Sequence, residues 1–253
     1  VSMNTLSDFN PQSLPDGRIL FTRWEYIDRD LTYRQSLWTQ NPEGTLYQLY
    51  YGNTIRDFGS ILHARPFPNG SSSQVIATFT PHHGYPHGAI GVVDRSAGIE
   101  APAGEGFIYW TKEFPVVEDI SREYAYRDPF PLDETRALCS FGDATSILGA
   151  DADGKLERYR IWLLDCDGEK RLLWEEPELG CFCPIALVET PTPPTLGSRR
   201  ASRRRRNGNF SRNTALISTR IVAPNSTRRA RTKRFFSFSL AFGPVAVARR
   251  RES

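Results

Sequence analysis

The chain has 253 residues, and its 32 Lys and Arg nearly cancel its 29 Asp and Glu. The cancellation hides two unlike parts: residues 1–197 hold 16 basic against 28 acidic residues, whereas residues 198–253 hold 16 basic residues against Glu252 alone. The basic overall balance is therefore no argument for a nucleic-acid partner of the body, and no apolar run approaches the roughly 18 residues of a membrane-crossing helix.

Taken in chain order, Val1 to Phe9 lack the basic start and apolar run of a signal peptide, and residues 1–10 read as a remnant ahead of the first structured unit. That unit has Leu14-Pro15-Asp16-Gly17 leading into Arg18-Ile-Leu-Phe-Thr-Arg23. After a spacer come Ser36-Leu-Trp-Thr-Gln40, the turn Asn41-Pro-Glu-Gly44, and Leu46-Tyr-Gln-Leu-Tyr-Tyr51. A second unit opens on Phe67-Pro-Asn-Gly70, then Gln74-Val-Ile-Ala-Thr-Phe-Thr80, then Ala89 to Asp94 with Arg95-Ser-Ala-Gly98. A third opens on Phe130-Pro-Leu-Asp-Glu-Thr135, then Arg136 to Phe141, then Arg160-Ile-Trp-Leu-Leu-Asp165 with Cys166-Asp167-Gly168, then Lys170-Arg-Leu-Leu-Trp174.

Each unit is an apolar residue plus Pro, a turn, a strand, a loop, a second strand and an acidic, Gly-containing hairpin. Alternating β-branched and aromatic residues offer one face to a core, while Pro and Gly punctuate. Pro15, Asp16, Gly17, Asn41, Gly44, Asp167 and Gly168 are predicted to be structural turn residues, since Asn and Asp bond the local backbone and Gly accepts positive φ. The Pro15–Pro68 and Pro68–Pro131 separations exceed the roughly 40–50 residues of a standard propeller blade, so long loops are expected between strands. A sheet of this kind cannot bury both faces alone, and stacked blades are the natural solution, with a β-sandwich of the same strands as the alternative. The expected fold is all-β: a partial β-propeller over 11–196, with three to four blades of four-stranded antiparallel sheet, followed by a disordered basic tail over 197–253.

The most chemical-looking segment is Pro81-His82-His83-Gly84-Tyr85-Pro86-His87-Gly88. His82, His83 and His87 are the candidate metal ligands, because close neutral imidazoles can converge on zinc, copper or iron. Against this, neighbours on an extended chain point to opposite faces and cannot both bind one ion without a bend, so a hydrogen-bonded structural role at a blade edge is the favoured alternative. Cys139 and Cys166 sit in apolar strand-like runs and read as buried free thiols, and Cys181-Phe-Cys183 lacks the two-residue gap of common zinc and redox motifs. Asp151-Ala-Asp153-Gly154 with Glu157 echoes the start of a calcium loop but reads as a hairpin turn. No cofactor is expected on this chain: it has no Cys-x-x-Cys-His for covalent haem, and it also lacks a Gly-x-Ser-x-Gly elbow and a Walker loop, which disfavours an autonomous enzyme.

The tail carries three basic clusters, among them Arg203, Arg204, Arg205 and Arg206, and Arg228 with Arg229. As a genuine tail these would neutralise phosphates without sequence preference. Of its 16 basic residues only Lys233 is Lys, and Trp, Tyr, Cys, His and Asp are absent, which is also the composition a shifted reading frame in a GC-rich gene would yield. On that second reading a nucleic-acid partner is not expected.

Leu14-Pro-Asp-Gly-Arg-Ile-Leu-Phe-Thr-Arg-Trp-Glu-Tyr26 resembles the repeat of TolB-type, WD40-like propellers. The longer order of Asn41-Pro-Glu-Gly44, Tyr50-Tyr-Gly52, His63-Ala-Arg-Pro66, His82-His-Gly84, Val93-Asp94, Glu175-Glu-Pro177, Pro184-Ile185 and Thr190-Pro-Thr-Pro-Pro194 is similar to the middle domain of the hydrazine synthase α subunit and its bacterial relatives. The resemblance implies a scaffold or binding module in a larger, exported or periplasmic protein, with further blades or flanking domains as partners. In haem-bearing relatives it also implies a propeller that helps line a metal centre, which would place His82, His83 and His87 near haem or metal of the full-length protein in a redox enzyme.

Overall fold

The computed structural model of the chain describes residues 7–25, 34–68, 70–82, 86–111, 125–142, 158–187 and 191–197. The calcium-like segment at 151–157 and the basic tail lie outside them. Twelve strands are described, in three runs of four: β1 (Ser7–Ser13), β2 (Ile19–Trp24), β3 (Gln35–Gln40) and β4 (Gln48–Tyr51); β5 (Ser60–Pro66), β6 (Gln74–Thr80), β7 (Ala89–Asp94) and β8 (Phe107–Tyr109); β9 (Ala125–Pro131), β10 (Arg136–Gly142), β11 (Arg160–Asp165) and β12 (Lys170–Trp174). Within each run every strand pairs antiparallel with the next. The result is three four-stranded meanders, the unit of a propeller blade. One parallel bridge, Gln35 to Ser60, links the first two into a continuous sheet. The chain is a partial β-propeller, and β1, starting at Ser7, draws part of the 1–10 segment into its first blade.

Three hairpin turns share one hydrogen-bond pattern. Leu14, Asn41 and Asp165 each donate their N–H to the carbonyl four residues on, all at 2.8 Å, and accept from the N–H of Gly17, Gly44 and Gly168 at 2.8–2.9 Å. The three glycines sit at φ +87°, +80° and +89°, where a Cβ would be strained. Side chains complete the turns: Asp16 Oδ1 accepts from Arg18 N–H at 3.0 Å, and Asp167 Oδ1 from Glu169 N–H at 3.2 Å. The third turn also moves Cys166 out of the strand, so its thiol is exposed rather than buried as the sequence suggested. Cys139, inside β10, is buried as expected, and burial pushes its thiol up to about 12. The second unit departs from the hairpin pattern. Asp94 Oδ1 accepts from Ser96 N–H at 2.9 Å and opens a short 3-10 turn over Arg95–Ala97, after which a loop returns the chain to β8.

Strand alternation builds the core. In β6, Val75, Ala77 and Phe79 face the first blade, and Ile76 between them faces the third. β7 repeats the division with Ala89 and Val93 on one side and Ile90 on the other. The middle blade is therefore buried on both faces. Its first interface is aromatic: the Phe79 and Phe107 rings stack at 5.2 Å, and Phe58 meets both edge-on at 5.4 and 5.6 Å. Buried Arg34 lies over the Phe58 ring at 4.7 Å. The second interface sets Ile76, Ile90 and Trp110 against Tyr126, Cys139 and Leu164.

Candidate functional site

The first strand of each blade carries the same irregularity. Asn10 in β1, His63 in β5 and Asp128 in β9 adopt left-handed backbone at φ +50°, +54° and +53°. The strand register slips beside each one, between Phe9 and Gln12, between Leu62 and Arg65, and between Arg127 and Phe130. These are β-bulges, which turn one residue out of the ladder and re-aim its side chain. Each bulge residue stands five places before the second residue of its following turn: Pro15, Pro68 and Asp133. Left-handed geometry costs an ordinary residue roughly 1–2 kcal/mol, less for Asn and Asp, whose short polar side chains bond locally.

The three bulge residues are bonded to one another across the blades. His63 donates its backbone N–H to Asn10 Oδ1 at 3.4 Å, and its Nε2 lies 3.3 Å from Asp128 Oδ1. Thr78 Oγ1 sits 3.2 Å from the other ring nitrogen, Nδ1. Burial pushes His63 down to about 4; the Asp128 charge opposes the shift, and Arg127 and Arg65 add to it. His63 is therefore neutral at pH 7, and the contact with Asp128 is a hydrogen bond from neutral Nε2–H to a carboxylate. Nδ1 then accepts from the Thr78 hydroxyl. The second Asp128 oxygen accepts from Arg127 Nε at 2.6 Å and from the Cys183 N–H at 3.3 Å. Burial and the Asp128 charge push the Cys183 thiol up to about 11.

Beside this ladder is a cavity of about 330 Å³ whose polar lining is Asn10, Gln35, Ser60, His63, Thr80 and His82. A larger one, of about 530 Å³, lies at the far ends of the first strands, where Pro15, Arg65, Phe67 and Phe130 meet Pro191 and Pro193. Of the histidines marked out by the sequence, His82 lines the smaller cavity, with Nδ1 3.4 Å from Gln35 Nε2 and its ring edge-on to Trp24 at 5.9 Å. His87 is buried and places Nδ1 2.7 Å from the Tyr159 hydroxyl. His83 lies outside the described residues, as do Arg203, Arg204, Arg205, Arg206, Arg228 and Arg229. Among the described residues no three His, Cys, Asp or Glu side chains are grouped to hold a metal ion.

Sequence reasoning passed over His63 as a site residue, although it stood in the resembling stretch His63-Ala-Arg-Pro66. The available signal was positional: Asn10, His63 and Asp128 fall at one spacing from successive turns, and Asn10 and Asp128 each precede a Pro.

No family model matches the chain, and no curated protein matches it. Among solved structures it is similar to Kuenenia stuttgartiensis hydrazine synthase, with TM-score 0.49 and 18% identity over 70% of this chain and 20% of that one. It is also similar to a structure of putative TolB from Agrobacterium tumefaciens, with TM-score 0.41 and 14% identity over 68% of this chain and 50% of that one. Both are β-propeller proteins, and the chain spans a fifth of the first and half of the second. No helix among the described residues is long and apolar enough to cross a membrane. By its own strand topology the chain is a partial β-propeller, and its likeness to hydrazine synthase and TolB is one of fold.

Proposed function

We propose that the chain is a non-catalytic propeller scaffold or binding module that works as part of a larger bacterial protein, with further blades or flanking domains as its partners. The observation behind this reading is the contrast between the middle blade and the third. The middle blade is covered on both faces, whereas around the third Leu172 and Trp174 are 40% and 47% exposed, and Phe182, Ile185 and Leu187 are 58–62% exposed. So many large apolar side chains in one stretch mark a surface for another protein element. A next blade seated there would cover them as the third covers the middle one.

The test is to express the chain alone and joined to the coding sequence on either side of it, and to measure acrylamide quenching of the Trp174 emission, isolated by difference from Trp174→Phe. Trp174 becomes shielded in the longer product. Equal quenching in both products refutes the reading.

A further inference from the structure

We propose that the larger cavity, at the far ends of the first strands, binds an apolar monocarboxylate whose carboxylate is taken by Arg65. The proposal rests on the binding-module half of the reading above, and it adds the place and the chemistry of the ligand.

The bulges build this site. Beyond each left-handed residue the strand ladder resumes, at Gln12 opposite Leu20, at Arg65 opposite Ile76 and at Phe130 opposite Leu138. Gln12, Arg65 and Phe130 each stand two places after their bulge residue, and all three line the one cavity of about 530 Å³. Equivalent positions of three blades thus bring an amide, a guanidinium and an aromatic ring to a single space. Its volume lies within the usual range for ligand cavities, roughly 300–1,000 Å³. It corresponds to about eighteen waters at ~30 Å³ each, which suits a ligand of about a dozen non-hydrogen atoms or somewhat more.

Arg65 is a half-buried cation with no counter-charge in contact. Among the described residues its guanidinium has no hydrogen-bond or ion-pair partner; it lies over the Phe130 ring at 5.2 Å. Burial lowers its pKa from the ordinary arginine value. Asp128 opposes that shift only from a distance, since its own oxygens accept from His63, Arg127 and the Cys183 N–H. A partly dehydrated cation gains from an anion that reaches it, and no nitrogen of Arg65 is sealed from solvent. Gln12 and Ser13 line the same cavity, and among the described residues their side chains have no hydrogen-bond partner either. Gln12 is half-buried and Ser13 exposed, so their amide and hydroxyl are open to donate to the same carboxylate.

The rest of the described wall is largely apolar, made by Phe67, Phe130 and prolines from the turns and from the segment Pro191–Pro193. Among the described lining residues Arg65 alone carries a charge. One guanidinium balances one negative charge, and its planar fork matches the two oxygens of a carboxylate. A phosphate dianion would bring a second, unbalanced charge into the same space, which favours the monoanion.

The full chain is titrated calorimetrically with 2-naphthoate and 4-phenylbutyrate, and in parallel with 2-naphthamide, 2-naphthylmethylamine and inorganic phosphate. At least one of the two carboxylates binds, and more tightly than the amide, the amine and phosphate. Arg65→Met keeps the apolar stem, removes the charge and weakens that binding about ten- to a hundredfold, the loss of hydrogen bonds to a charged group. Arg171→Met, the same exchange at an exposed position of β12, leaves it unchanged. Gln12→Leu leaves Arg65 in place and weakens binding about threefold, which keeps the test decisive should Arg65→Met fail to fold. The proposal is overturned if neither carboxylate binds, if the amide, the amine or phosphate binds as tightly, or if the cavity variants that fold keep wild-type affinity. A chain that binds neither carboxylate but shields Trp174 in the longer product keeps its scaffold role and loses only this site. One that binds a carboxylate while Trp174 is quenched equally in both products keeps the site and loses the docking face.

Discussion

His63 offers a sharp test of the ladder, because its protonation should be felt as lost stability on acidification. In the folded chain burial holds the imidazole at about 4, against 6.5 for an ordinary histidine. The depressed value means that the folded state resists the proton that the unfolded chain takes up readily. The stabilisation from the neutral ring is therefore complete above pH 6.5, and it is lost progressively as pH falls towards about 4. A shift of this size corresponds to about 3 kcal/mol, and a side chain only 10% exposed needs little discount for solvent screening. The comparison is wild type against His63→Asn, chosen because Asn tolerates the φ of +54° and does not titrate. Urea denaturation midpoints of both proteins are measured from pH 7 down to pH 4. Carboxylates elsewhere titrate in both, so the quantity to read is the difference between the two curves. The variant is less stable at pH 7, and the gap closes by about 3 kcal/mol across the acid range. Parallel curves would refute both the burial of a neutral imidazole and the hydrogen bond from Nε2 to Asp128.

Two further predictions probe the turns and the core by the same denaturation assay. Gly104→Ala meets open space at φ +85° and should cost only the left-handed strain of about 1 kcal/mol. Gly17→Ala adds to that strain a Cβ placed 2.5 Å from the Pro194 carbonyl oxygen, so it should cost clearly more; equal losses would mean that Pro194 does not pack there. Phe107→Ala removes the ring shared by Phe58 and Phe79 in the first interface and should cost about 3–5 kcal/mol, and a loss below about 1 kcal/mol would show that the three aromatics do not form one packed unit.

The parts of this fold that sequence makes legible are those whose chemistry is local. Gly17, Gly44 and Gly168 announce their turns because a positive φ strongly favours one residue type, and β6 and β7 announce their strands by alternation. Position within a turn is also a local matter, yet it misled at Cys166. The run Ile161-Trp-Leu-Leu-Asp165 looks continuous with the thiol until the turn closes at Asp165, one residue earlier. Of the dense histidines at 82–87, His82 lies against Gln35 and Trp24 and His87 beside Tyr159, while His83 is outside the described residues.

The ladder was hidden for a deeper reason. What repeats from blade to blade is a backbone conformation, not a residue, and a pattern sought in residue types passes over three positions occupied by Asn, His and Asp. The variation is itself informative. A repeated Asn would offer only amides, and a repeated Asp would set like charges side by side at a cost to both. An amide, an imidazole and a carboxylate in succession instead give an acceptor for the His63 backbone N–H and another for its ring Nε2, so that His63 reaches its two neighbours through different groups. Among the described residues lining the adjoining cavity there is no Asp, Glu, Lys or Arg. The choice of residues at three equivalent bulges therefore fixes the contact between blades.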